Sequence, residues 1–112
     1  MNRIALISSN LFFSLTLLMV LCMSGSLLAQ SEKKMMAEAD AYFKSEQYNE
    51  AAKLYQKVLR ENDRNAYAFY QSGHCNRFLF KYALAEIHYN KAYEIAPKKY
   101  PLALFYLALM QK

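Results

Sequence analysis

The sequence predicts an all-α chain: a solenoid of helical hairpins about two and a half repeats long, preceded by an N-terminal signal helix. Three observations predict it. Residues 34 apart echo one another: Tyr48, Ala51, Tyr55 and Lys57 return as Tyr82, Ala85, Tyr89 and Lys91, and the small Ala39 returns as Gly73. A period of that length belongs to stacked antiparallel helix pairs. Between residues 32 and 95 there is no proline, Gly73 is the only glycine, and the helix formers Ala, Glu, Lys and Gln are plentiful. The first 29 residues have a different character, that of a secretory leader.

The leader, residues 1–29, opens with the cation Arg3 and continues as an apolar run from Leu11 to Met23. Small residues follow at Ser24, Gly25 and Ser26, and Ala29 precedes the polar Gln30. That is the order of a signal peptide, with cleavage expected after Ala29, or else after Ser26. An uncleaved membrane anchor is the competing reading, since residues 4–29 are long enough to span a bilayer. Asn10 and several serines dilute that run, and Lys33 and Lys34 oppose the orientation. A lipid anchor on Cys22 would need a small residue before it, where Leu21 stands.

The remainder, residues 30–112, is one domain. Helices are expected over 32–45, 48–61, 66–79, 82–95 and 101–112. The turn residues Asn62, Asp63, Arg64 and Asn65 separate the second from the third, Pro97 ends the fourth, and Pro101 suits the first turn of the fifth. Short connections force neighbouring helices to run antiparallel.

Charge and chemistry narrow the classes. The net charge is +5, and loss of Arg3 would lower it by one. The cations are interleaved with Glu along helices, a solvated pattern that lacks the concentrated stripe a nucleic acid needs. Cys75 alone would survive processing, so the domain has no internal disulfide to make and Cys75 reads as a small buried residue. His74, Cys75 and His88 offer no metal-ligand spacing, and adjacent helical residues point about 100° apart. No base is paired with Cys75 and no Gly-rich phosphate loop occurs, so neither enzyme nor cofactor is expected.

The stretch from Tyr48 to Leu59 resembles the second helix of a tetratricopeptide repeat, and Tyr82 to Pro97 resembles it again, with Ala85, Tyr89, Ala92 and the closing Pro97 in phase. Ala39 with Tyr42, and later Gly73, fit the first helices. The resemblance covers residues 32–112, as repeats 32–65 and 66–99 and a partial copy 100–112. Ala39, Ala51, Gly73 and Ala85 would sit where helix axes approach closely, with Tyr48, Tyr55, Tyr82 and Tyr89 filling the gaps around them. Departures are Asp63 where the first copy would often close with proline, Met35 in place of a large aromatic, and Asn76 where Tyr42 sits. The third copy starts one residue late, Gly73 to Ala108 being 35.

The resemblance also implies a groove lined by the first helix of each copy. Met36, Asp40, Phe43 and Lys44 would line it in the first copy, Tyr70, Gln71, His74, Arg77 and Phe78 in the second, and Phe105, Leu109 and Lys112 in the third. Aromatic and cationic side chains of this kind hold an extended peptide by stacking and hydrogen bonding. The Lys, Asn and Arg clamp by which some such repeats grip a terminal carboxylate is not matched, since Met36, Asp40, Leu102 and Tyr106 replace it.

The expected role is therefore an exported scaffold for a protein or peptide partner in the periplasm or outer envelope. The alternative is the N-terminal spacer of a larger envelope protein, because Leu102 to Met110 is unbroken apolar sequence that expects cover on several sides. A homodimer through that terminal helix is the other way to cover it. Membrane contact is expected only through an uncleaved leader.

Overall fold

A computed structural model describes residues 2–110, with side chains described at 9–21 and 27–110. The side chains of Arg3, Cys22, Met23, Ser24, Gly25 and Ser26, which carry part of the leader reading, and the expected groove residue Lys112 lie outside the described residues. The helices are α1 (Asn2–Lys44), α2 (Tyr48–Glu61), α3 (Ala66–Phe78), α4 (Tyr82–Ile95) and α5 (Leu102–Met110), and no strand occurs among the described residues. The chain divides into two units, one up to Lys33 and one from Lys34.

In the first unit the described side chains from Leu11 to Leu21 are exposed, so the helix carries apolar residues on every side. Thr16 bonds its hydroxyl back to the carbonyls of Phe12 and Phe13, at 3.0 and 2.9 Å. Among the described residues, no helix is long and apolar enough to cross a membrane.

In the second unit, two hairpin turns are built alike. Glu46 has φ 61°. The Gln47 N–H donates to the Tyr42 carbonyl at 2.9 Å, and the Glu46 N–H to that of Phe43 at 3.1 Å. Those two bonds form a Schellman ending, which closes a helix through one left-handed residue. The same ending recurs 34 residues later. Phe80 has φ 62°, Lys81 donates to Asn76 at 2.8 Å, and Phe80 donates to Arg77 at 3.1 Å. Glycine meets this demand most cheaply, yet neither turn has one. The α2–α3 junction uses a polar cap instead, the Asn65 side chain accepting from the Ala68 N–H at 3.0 Å. Pro97 lies in the turn after α4, where the Tyr100 N–H reaches the Ala96 carbonyl at 3.0 Å.

α3 packs on both α2 and α4, and α5 packs on α4. Two apolar clusters result. Ala39, Ala51, Tyr55, Val58, Ala68 and Cys75 form the first. Ala85, Tyr89, Ala92, Tyr100, Ala103 and Leu107 form the second. The alanines let backbones approach, and at Gly73 even a methyl is too much. A β-carbon there would lie 2.6 Å from Tyr89 Cδ1.

Three expectations need adjustment. The helix expected to begin at residue 32 has no break there, since α1 continues from Asn2 to Lys44 with no proline or turn to interrupt it. Tyr48 is half-buried against Phe43 and Phe78, but Tyr82 is 48% exposed and meets only the edge of the Phe80 ring among the described aromatic pairs. The echo therefore places Tyr82 at the right helix start without giving it the cover that Tyr48 has. α5 is sided despite its uniform composition. Ala103 and Leu107 are buried on α4, in the places that Ala68 and Ser72 hold 35 residues earlier, whereas Leu102, Leu104, Phe105 and Leu109 are exposed.

Candidate functional site

α3 presents a run of large side chains toward α1 and α5. The ring centroids of Tyr70 and His74 are 4.4 Å apart, edge to face. His74 also meets Tyr106 edge-on at 4.9 Å and Tyr89 at 5.3 Å, with Phe43 tilted at 6.3 Å. Tyr70 packs on Tyr100 at 4.8 Å, and Phe78 stacks on Tyr48 at 4.7 Å. Aromatic pairs at these spacings form a rigid apolar wall with few rotamers to lose.

Arg77 is fixed within that wall. Its Cζ lies 4.5 Å from the centroid of Phe78 and 4.7 Å from that of Tyr106. Its Nε donates to the Tyr89 hydroxyl at 3.2 Å, and that hydroxyl is 2.7 Å from His74 Nδ1. Arginine only donates. The phenol therefore accepts from Arg77, and with the ring proton of His74 on Nε2 it gives its own proton to Nδ1. Burial, with a smaller push from Arg77, lowers the His74 pKa to about 4, so the ring is neutral at pH 7. Burial pushes Tyr89 up to about 12, against the pull of Arg77.

A pH dependence follows. An unfolded histidine titrates near 6.5. Between that value and about 4, the unfolded chain holds a proton that the folded chain refuses, so stability falls as pH drops through this window. His88 acts in the same direction, its pKa also being lowered by burial. We expect a loss of ~1–2 kcal/mol between pH 7 and pH 4.5, discounted for partial solvent access. Urea midpoints at the two pH values measure it, and His74→Gln should flatten the slope. An unchanged slope in that variant would place the titration elsewhere.

A second polar cluster joins α1, α2 and α3. Asp40 Oδ1 accepts from the hydroxyls of Tyr55 and Tyr67, the latter at 3.1 Å, and Gln71 Nε2 donates to the Tyr67 oxygen at 3.3 Å. Burial and the adjacent Asp40 carboxylate push Tyr67 up to about 12 and Tyr55 above the ordinary phenol range.

The structure thus brings Phe43, Tyr70, His74, Arg77 and Phe78 into one cluster. Gln71 belongs instead to the Asp40 network, and Met36 packs against the first core cluster. Lys44 is exposed at the last residue of α1, and Phe105 is 56% exposed, edge-on to Tyr106 at 5.7 Å. Tyr67, Tyr100 and Tyr106 were missing from the sequence-derived groove. The tyrosine-rich composition was their only signal, and spacing did not say which face each would occupy.

Among the described residues, no group of three His, Cys, Asp or Glu side chains is placed to hold a metal ion. Cys75 is buried, and burial raises its thiol to about 12, which keeps it protonated and unreactive at pH 7.

Helix pairs stacked in a 34-residue register, with an aromatic wall on one face, define a helical-repeat protein. Residues 33–65 match the family model described as tetratricopeptide repeat, which supports a tetratricopeptide-repeat family. No curated protein matches the chain at a significant level. Repeats of this kind are generally non-catalytic, and they suggest a protein–protein interaction module.

Proposed function

We propose that the domain is an exported scaffold that holds an extended peptide or protein segment along the face formed by α1, α3 and α5. The observation that carries this reading is the cluster of Phe43, Tyr70, His74, Arg77 and Phe78. It presents π-faces and a fixed guanidinium, and its polar tips are already arranged by hydrogen bonds. Binding would be passive, and the gain would come from a surface ordered before the partner arrives.

Peptides selected from a random display library against the full chain supply the test. Tyr70→Ala should weaken a selected peptide ~10-fold or more, as truncation of a central aromatic anchor does, with helicity by circular dichroism retained. If every selected peptide bound that variant as well as the original chain, the groove assignment would be wrong.

Export rests on the order of Arg3, the Leu11–Met23 run and Ala29. A native product whose N-terminus is Gln30 would support it, and a product retaining the leader would oppose it. The second reading is that the repeats position a further domain of a longer envelope protein. The exposed residues Leu102, Leu104, Phe105 and Leu109 on α5 favour a surface that something covers. Light scattering on the full chain would tell a homodimer through α5 from a monomer.

A further inference from the structure

At the end of α3 the chain spends stability on an exposed ring. The turn there requires a left-handed residue, and it has Phe80, at φ 62° and 77% exposed. A β-carbon in that conformation is disfavoured, and glycine would close the turn without it. The phenyl ring contributes little to the core from so exposed a place. It borders an open cleft of about 460 Å³, lined by Arg77, Phe78, Phe80, Tyr82, Leu109 and Met110. Tyr82, left without the cover of its counterpart Tyr48, faces the same cleft.

One wall of this apolar cleft is cationic. The Arg77 Nε is occupied by Tyr89, and rings hold the guanidinium at 4.5 and 4.7 Å. No carboxylate pairs with it among the described residues. The terminal nitrogens therefore remain as a planar fork, a shape that matches a carboxylate through two parallel hydrogen bonds.

We propose that this cleft recognises a carboxylate next to a bulky apolar side chain on an extended peptide, the carboxylate on the Arg77 fork and the apolar group between Phe80, Tyr82 and Leu109. The inference deepens the groove reading and rests on it, naming the chemistry selected at one end of the groove. Charge complementarity chooses the acid, and the exposed rings choose its neighbour.

The test is the sequence content of peptides selected from a random display library against the full chain, followed by fluorescence polarisation with a synthetic selected peptide. Acidic residues adjacent to Leu, Ile, Met or Phe should be enriched. Arg77→Lys keeps the charge but removes the fork, and should weaken binding about tenfold. Phe80→Gly relieves the turn, so it should raise the melting temperature while weakening binding several-fold. A merely structural Phe80 would not produce that opposition. Peptides that lose binding with Tyr70→Ala but lack acidic–apolar pairs, or that tolerate both Arg77→Lys and Phe80→Gly, would overturn this inference and leave the groove reading standing. Peptides indifferent to all three substitutions would overturn both.

Discussion

Gly73→Leu is expected to destabilise the domain by about 3 kcal/mol, enough to threaten folding of so small a unit. The reason is local. The β-carbon alone would lie 2.6, 2.7 and 3.0 Å from three atoms of the Tyr89 ring. That ring cannot swing aside cheaply, being fully buried with its hydroxyl engaged by Arg77 and His74. Gly73→Ala is a finer probe. Alanine should gain up to ~1 kcal/mol of helix propensity at a mid-helix position, but the overlap should outweigh it and leave a net loss of ~1–2 kcal/mol. Urea denaturation gives both numbers. On a Tyr89→Leu background the penalty of Gly73→Ala should vanish. Stabilisation of the otherwise unaltered chain by Gly73→Ala would mean that Tyr89 is not what demands glycine there.

Tyr55→Ala should cost ~3–5 kcal/mol, the range for truncating a fully buried aromatic. Tyr55 fills the first core cluster and donates its hydroxyl to Asp40, so the substitution opens a cavity and takes one of two phenolic donors from a carboxylate. Tyr55→Phe separates the two effects. It keeps the ring, removes the donor and should cost ~1–2 kcal/mol. Combined with Asp40→Ala, it should show a coupling of ~1 kcal/mol in a double-mutant cycle. Additive losses would show that the hydroxyl contributes to packing alone.

The aromatic cluster was partly legible for a simple reason. Phe43, Tyr70, His74, Arg77 and Phe78 follow helical spacing on the first helices of successive hairpins, so one face of one periodic pattern collects them. Gln71 shows the limit of that logic. It neighbours Tyr70 in sequence, but a rotation of about 100° turns it toward the Tyr67 hydroxyl and the Asp40 network. Tyr106 was read as a lost cation of a clamp, yet it packs against Arg77 and His74. Which of many tyrosines serves as a wall depends on the partner helix it meets, and pairings between distant segments leave no local trace. Phe80 was invisible for another reason. Its position is a helix ending normally marked by glycine, and a phenylalanine there carries no turn signal.

By itself, the sequence determined the helical content, the 34-residue period, the hairpin connectivity and the helix boundaries to within a residue from the end of α1 through α4, but not the start of α1, which runs back to Asn2. These rest on local quantities: the spacing of alanines and tyrosines, the absence of proline between 32 and 95, the Asn-rich junction near 62–65 and the two late prolines. The tertiary structure alone decided which side chains share a surface. It made Tyr89 both core and anchor for Arg77 and His74, engaged Asp40 with two tyrosines, uncovered Tyr82, and gave uniformly apolar α5 a buried and an exposed face. Burial, the direction of hydrogen bonds and the pKa of His74 all depend on atoms brought together from different helices, and a linear pattern does not contain those distances.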